Sequence, residues 1–220
     1  MADATDDNPG GADLAPARRT RAVTPRHAAS LIVWRRGPGG AEILMGMRHA
    51  RHRFMPSVLV FPGGRVDRAD HGVKALTELR PETEAELRHR APPSLARALG
   101  IAAIRELFEE TGLVLGERRG SRLLADLGAL DYLCRAVTPP ARSMRFNARF
   151  LIAPAERVQG ELGGSGELEN LAWSTLPDAR AARLADITAR ILTEFEDWLA
   201  APEKWPRIVF RGNDNRMSDA

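Results

Sequence analysis

The chain has 220 residues, which is enough to bury a core and suits one domain with appendages. Apolar residues make up 44% of it, yet no apolar run approaches the roughly 20 residues of a membrane span, so a membrane protein is not expected. The formal net charge of +3 comes mainly from arginine, which suits a phosphate-rich ligand but does not indicate nucleic acid. The single cysteine excludes an internal disulfide framework and, without the apolar stretch of a signal peptide, predicts a cytoplasmic protein.

The chain order predicts one domain between two tails. Residues 1–24 are rich in Asp, Gly, Ala, Pro and Arg without periodicity, which predicts a disordered tail. The domain is expected over residues 25–211 and a second tail over 212–220. The predicted strands are Ala28–Trp34, Glu42–Met47, Val58–Phe61, parts of Leu123–Val137, Asn147–Ala153 and Leu168–Trp173. The predicted helices are Ser94–Thr111 and Asp186–Leu199. Gly160–Gly166 is predicted to be a flexible loop.

The helix predicted at Ser94–Thr111 carries the strongest chemical signal. At about 100° per residue, Glu106, Glu109 and Glu110 fall within one narrow sector, opposite an apolar face. Two such carboxylates ~5 Å apart repel each other by about 3 kcal/mol, and a divalent cation that prefers oxygen ligands would relieve this repulsion. The alternative is an exposed acidic helix face. Such faces usually carry cations at i±4, and here Arg105 is the obvious one nearby.

A glycine pair precedes this helix. Gly63 and Gly64 follow the strand ending at Phe61, where adjacent glycines permit positive φ and a close approach of the backbone to a ligand. An ordinary tight turn would give the same pattern, so the pair by itself is a weak signal.

Together the two elements resemble the signature of the Nudix hydrolases: a glycine, then Arg-Glu-aliphatic-x-Glu-Glu-x-Gly-aliphatic downstream. Every specified residue of the second half is present from Arg105 to Leu113. The resemblance implies an α/β (α+β) fold, an α/β/α sandwich around a mixed β-sheet. It also implies ligation of Mg²⁺ or Mn²⁺ by Glu106, Glu109 and Glu110, with the Gly63 carbonyl as a further ligand and Arg105 orienting a helix carboxylate.

The chain departs from the signature at one point. The family has a glutamate eight residues before the arginine, and this position is Arg97 here. The gap after Gly64 is also enlarged by residues 65–96, an insertion within the signature. Because that glutamate supports the loop rather than ligating the catalytic metal, the departure affects the loop more than the chemistry. Asp67 and Asp70 are candidates for a replacement carboxylate.

Residues outside the signature resemble one Nudix branch, in patches from His27 to Trp173. That branch has an interrupted signature and includes a peroxisomal coenzyme A diphosphatase. The resemblance implies a metal-dependent hydrolase that cleaves a diphosphate linkage in a small nucleoside diphosphate derivative. Coenzyme A or an acyl derivative is the expected substrate, with ADP-ribose or a dinucleotide as the alternative.

Two other classes of function compete with this reading. A catalytically silent Nudix fold could serve nucleotide sensing or protein interaction, but the presence of all three helix carboxylates and Arg105 argues against it. RNA binding ranks last, because aromatic residues make up only 5% of the chain and the basic residues are scattered. Formation of a homodimer, with two chains pairing across the insertion, is left open.

Further residues are candidates for proton transfer and for substrate binding. The general base is expected to be a carboxylate after the glycine-rich loop, Glu167 or Glu169, or Glu110 itself if only one metal ion is present. Forked guanidinium donors match phosphate oxygens, although a solvated surface is the alternative for any single arginine. The candidates for substrate binding are Arg48, Arg53, Gly64 and Arg145.

Overall fold

The computed structural model describes residues 23–49, 57–206, 208–211 and 215–218. Within these ranges, no helix combines the length and the apolar character needed to cross a membrane. The strands are β1 (Arg26–Gly37), β2 (Gly40–Arg48), β3 (Leu59–Val60), β4 (Gly63–Arg65), β5 (Ala75–Thr77), β6 (Val114–Arg119), β7 (Arg122–Asp126), β8 (Asp131–Val137), β9 (Phe146–Pro154), β10 (Val158–Gln159), β11 (Leu168–Thr175), β12 (Ile208–Arg211) and β13 (Asn215–Ser218). The α-helices are α1 (Pro81–Arg88), α2 (Pro93–Thr111), α3 (Leu176–Ala181) and α4 (Asp186–Ala200).

The central sheet has the order β11–β2–β1–β9–β8–β12–β13, with β3 attached to β2 and β4 attached to β1. It is mixed, because β1 runs parallel to β9 and β12 parallel to β8, whereas the other pairs are antiparallel. Alternate residues of β1 serve two cores: Leu31 and Val33 pack with α2, and Ile32 packs with α4. This helix–sheet–helix sandwich confirms the predicted fold class.

Helix α2 is flanked by prolines at its start and by a glycine at its end. Pro93 at the first position is compatible with a helix start, where the missing N–H has no intrahelical partner to lose. The capping position is Pro92, which has no side-chain acceptor for a cap hydrogen bond. The predicted C-terminus is confirmed: Gly112 adopts the left-handed conformation with φ 76°.

The insertion folds onto α2 and a second, smaller sheet. It contains a short 3₁₀ helix at Arg68–His71, strand β5 and helix α1. Strand β5 pairs with β7 in the sheet β10–β6–β7–β5. Helix α1 buries Thr83 and Leu87, and the Thr83 hydroxyl donates to the Leu130 carbonyl at 2.8 Å. The insertion is therefore a structured layer beside α2.

Three further outcomes concern single elements. Residues 215–218, within the predicted C-terminal tail, form β13 because the backbone of β12 offers them an antiparallel partner. The strand predicted at Val58–Phe61 is limited to Leu59–Val60. Cys134 is a free thiol with no exposed surface, and burial raises its pKa well above the usual value, which suits a core residue.

Candidate active site

The C-terminal half of α2 lies directly against β4. The Gly63 N–H donates to Glu110 Oε2 at 2.8 Å, and the Glu106 carboxylate lies against the α-carbon of Gly64. A β-carbon at Gly64 would overlap with that carboxylate. Gly63 has φ 154°, and a β-carbon there would overlap with Ala29 and Ser30 of β1. The glycine pair is thus required by two close approaches, one of Gly63 to β1 and one of Gly64 to the Glu106 carboxylate.

Arg105 connects the insertion to the helix carboxylates. Its Nε and Nη2 donate to the two oxygens of Asp70 at 2.9 and 3.1 Å. Its Nη1 donates to Glu106 Oε1 at 2.9 Å and to Glu109 Oε2 at 3.0 Å. A further bond runs from Nη2 to the Arg65 carbonyl at 2.9 Å. One guanidinium therefore fixes two carboxylates of the acidic sector relative to the insertion.

The loop predicted to be flexible is docked on the end of α2. The Gly163 N–H donates to the Thr111 carbonyl at 2.8 Å, and the Ser165 N–H donates to the Glu109 carbonyl at 2.9 Å. These contacts satisfy carbonyls that the last turn of a helix leaves without intrahelical partners. Between them, Gly164 has φ 120°, and a β-carbon there would overlap with the Glu110 carbonyl. The docked loop brings Glu167 to the acidic side of α2.

The carboxylates lie in an environment that disfavours their charge. Burial raises the pKa of Glu110 to about 8. The neighbouring carboxylates of Glu106 and Glu167 raise it further, whereas the Gly63 N–H and Arg48 lower it. Burial also raises the pKa of Glu106, in spite of the neighbouring Arg105. The pKa of Arg48 is lowered by burial, although Glu110 and Glu167 favour its charge. These groups are therefore close enough to influence one another's pKa.

Burial alone would lower the pKa of Arg105, but the hydrogen bonds and charges of Asp70 and Glu106 outweigh it and raise the pKa above the usual range. This guanidinium is therefore held in its charged form by the carboxylates around it.

The donor set suits a hard divalent cation, although the side chains do not form a ready-made cage. In the part of the chain that the structure describes, no three His, Cys, Asp or Glu side chains come close enough together to hold a metal ion. Arg105 engages Glu106 and Glu109, while Gly63 N–H engages Glu110. The backbone nonetheless places three carboxylates on one side of a helix. Burial, with a smaller contribution from neighbouring carboxylates, raises the pKa of Glu106 and of Glu110, and a cation would stabilise their charged forms. Ligation by Glu106, Glu109, Glu110 and Gly63 stays a prediction.

The structure brings together some of the predicted substrate-binding residues and separates others. Arg48 and Gly64 lie beside the carboxylates. Arg145 instead donates to the carbonyls of Thr138 at 3.1 Å and Val23 at 2.6 Å, at the start of β9. The register places it about four residues, roughly 13 Å, from Gly64 in the strand direction, and β1 lies between the two. Arg53 lies outside the described residues.

Sequence reasoning missed two contacts of the insertion. It named Asp70 as a candidate carboxylate but did not identify Arg105 as the group that Asp70 binds. It also missed the bidentate pair of Arg97 and Glu78, which fastens the insertion to the N-terminal half of α2. No local sequence pattern predicts either contact, because the partners are separated by 35 and 19 residues in the chain.

Comparisons with known proteins were made for sequence and for structure. No protein-family model matches the chain. A curated relative, acyl-coenzyme A diphosphatase NUDT19 of Gallus gallus, is 37% identical over 100 residues. The match covers 36% of this chain and only 26% of that protein, so it spans about a quarter of the relative's length.

Solved Nudix structures are similar over most of the chain. A Nudix hydrolase from Alicyclobacillus acidocaldarius has a TM-score of 0.58 and 23% identity, covering 77% of this chain and 90% of that chain. The Nudix domain of NrtR from Shewanella oneidensis, solved in complex with ADP-ribose, has a TM-score of 0.53 and 13% identity, covering 80% and 90%. At these identities the likeness establishes the fold, and the predicted resemblance is confirmed at that level.

Proposed function

Because the chain has the fold of the Nudix hydrolases, we propose that it is a Nudix-type pyrophosphohydrolase that cleaves a diphosphate linkage with the help of a divalent cation, Mg²⁺ or Mn²⁺. The observation that carries this proposal is the arrangement of Glu106 and Glu110 against the glycine pair. Glu109 lies beside them and, like Glu106, accepts a hydrogen bond from Arg105. A silent binding module would have no need for the buried Glu110 carboxylate beside the half-buried Glu106 carboxylate, an arrangement that is costly without a cation.

The residues of the site suggest a division of roles. A divalent cation supplies activation of a water molecule and neutralisation of phosphate charge when it is bound among these carboxylates. Arg105 holds Glu106 and Glu109 in place, and Gly63 N–H holds Glu110. Glu110, which is buried and accepts from the Gly63 N–H, suits the role of general base if only one cation is bound. Glu167 is the alternative base.

Arg48 is the arginine whose position supports a role in binding phosphate. Its pKa depends on both Glu110 and Glu167, which places the guanidinium at the edge of the acidic side. An arginine there could pair with phosphate oxygens of a substrate while a cation balances the carboxylates. Arg145 and Arg53 stay as predicted contacts for more distant parts of the substrate.

Coenzyme A or an acyl-coenzyme A is the first candidate substrate. The partial similarity to acyl-coenzyme A diphosphatase NUDT19 supports it. Addition of water to the diphosphate of coenzyme A breaks one P–O–P bond and gives adenosine 3′,5′-bisphosphate and a phosphopantetheine. ADP-ribose and dinucleotides contain the same linkage and are the alternatives within the same chemistry.

The test is a substrate panel of coenzyme A, acetyl-coenzyme A, ADP-ribose, NADH and a diadenosine polyphosphate, with Mg²⁺, Mn²⁺ or EDTA. The wild type is compared with Glu109→Gln and with Glu82→Gln, which removes an exposed carboxylate of α1. We expect metal-dependent cleavage in the wild type and the Glu82→Gln control. In Glu109→Gln, kcat should fall by more than the roughly 100-fold that outer residues of metal sites cost.

Equal rates in all three proteins would contradict the assigned site. Binding of a panel compound to the folded protein without cleavage under any metal condition would favour the silent module. Cleavage of ADP-ribose or a dinucleotide alone would keep the reaction and replace the first candidate substrate.

A further inference from the structure

We infer that Asp70, a residue of the insertion, is a positioning residue that supplies the carboxylate missing from the signature and, through Arg105, sets the places of Glu106 and Glu109. The inference rests on the proposed function, since it concerns the same site. It assigns part of the active-site construction to a segment that interrupts the signature.

The surroundings of Asp70 are those of a built contact. The residue is 1% exposed, and both carboxylate oxygens receive donors from the Arg105 guanidinium. The Asp67 N–H donates to Asp70 Oδ2 at 2.7 Å and so fixes the side chain from within the 3₁₀ turn. Three donors on one buried carboxylate leave it little freedom to move. Asp70 can therefore serve as a fixed reference point for Arg105.

Arg105 transmits this position to the helix carboxylates. Its planar fork places Nε and Nη2 on Asp70, which leaves Nη1 directed at Glu106 and Glu109. Because a guanidinium is rigid, the bidentate contact on one edge determines where the other edge points. Without Asp70, Arg105 could turn toward either glutamate, and the spacing of the carboxylates would no longer be defined.

The residue at the usual glutamate position has a different task here. Arg97 donates to both oxygens of Glu78 at 2.8 and 3.0 Å and to the Val73 carbonyl at 2.8 Å. It precedes Arg105 by eight residues, about 12 Å along the helix axis. Glu78 is 65% exposed. The insertion is thus fastened to α2 by two bidentate pairs, one buried beside the carboxylates and one at the surface.

These two pairs provide a matched experiment. Asp70→Asn and Glu78→Gln each convert one acceptor carboxylate of the insertion into an isosteric amide. Each variant is assayed for kcat, KM and melting temperature with the preferred compound of the panel. Binding of Mn²⁺ by the substrate-free protein is titrated separately, by electron paramagnetic resonance. Arg105→Lys and the double variant with Asp70→Asn complete a cycle.

We expect Asp70→Asn to lower kcat by 10-fold to 100-fold with little change in KM, and to weaken Mn²⁺ binding on the order of 10-fold. Glu78→Gln should leave all these values near those of the wild type. The double variant should be no worse in kcat than Arg105→Lys alone, because Asp70 acts through Arg105.

Equal kcat and equal Mn²⁺ affinity in Asp70→Asn and Glu78→Gln would overturn the inference, as would additive losses in the double variant. If Asp70→Asn melts at a much lower temperature, Arg105→Lys and the Mn²⁺ titration at low temperature still decide. A wild type that binds Mn²⁺ but cleaves none of the compounds would contradict the proposed function, while the Mn²⁺ affinities would continue to test Asp70.

Discussion

The acidic cluster (Glu106, Glu109, Glu110 and Glu167) and an arginine cluster (His27, Arg135 and Arg149) both lie on the α2 side of the central sheet. In each, burial and like charges act against ionisation. Burial and Glu106 raise the pKa of Glu110 to about 8, whereas burial and Arg135 lower the pKa of Arg149 to about 10. In both regions the charged form of a buried group is therefore disfavoured, a carboxylate in the first and a guanidinium in the second.

The two clusters differ in how open they are. Glu109 is 50% exposed in its side chain, and the acidic cluster is bounded by backbone N–H groups and the docked loop. Arg149 is 1% exposed and donates to the Asn147 carbonyl at 3.0 Å, while its Nη2 finds no hydrogen-bond partner among the described residues. The acidic cluster is thus open to solvent at Glu109, whereas the Arg149 guanidinium is enclosed. We therefore expect changes in the acidic cluster to alter activity, and changes in the arginine cluster to alter stability.

Gly64→Ala should have the largest effect and separate activity from stability. The new β-carbon would displace the Glu106 carboxylate, which is the movable end of a side chain, so the fold need not change. We expect kcat to fall on the order of 100-fold with a nearly unchanged melting temperature. Gly72→Ala is the control, since a β-carbon there would lie 3.9 Å from the nearest atom, the Ala69 carbonyl oxygen. A wild-type kcat in Gly64→Ala would argue against a defined position for Glu106.

Gly164→Ala should have an intermediate effect, because it strains the loop that is docked on α2. The residue has φ 120°, and its β-carbon would overlap with the Glu110 carbonyl. Such strain costs about 1–3 kcal/mol, or the loop undocks and takes Glu167 with it. We expect a drop of about 10-fold in kcat. The neighbouring Gly163→Ala has open space for its β-carbon and should behave as wild type; equal behaviour of the two variants would refute the docking role.

His27→Gln should show the smallest effect, and only in acid. Burial, Arg149 and Arg135 lower the pKa of His27, so the folded state resists protonation more than the unfolded state does. The histidine thus contributes stability above its unfolded pKa of about 6.5, and this stability is lost as the pH falls through that value toward the folded pKa. Wild type should therefore lose more melting temperature between pH 7.5 and 5.5 than His27→Gln, whose amide stays neutral. Identical losses would show that the arginine cluster does not lower the pKa of His27 in the folded protein.

The sequence by itself determined the local part of this protein. The 3.6-residue period puts Glu106, Glu109 and Glu110 on one side of α2, and Gly112 ends the helix where the sequence predicts. The glycine pair also indicates a close approach of the backbone without a structure, because only glycine permits such approaches. The apolar run Ala28–Trp34 likewise predicts a strand, and it lies within β1.

Only the tertiary structure decided which distant groups meet. The insertion has no strong periodicity, so its sequence does not predict the ion pairs of Asp70 with Arg105 and of Glu78 with Arg97. The docking of Gly163 and Ser165 on α2 depends on backbone N–H groups, and the residue types do not specify which carbonyls these groups meet. Arg145 was predicted to hold phosphate, yet its donors go to backbone carbonyls. Side-chain type and spacing fix the chemistry that one helix can present, whereas long-range contacts depend on the path of the whole chain.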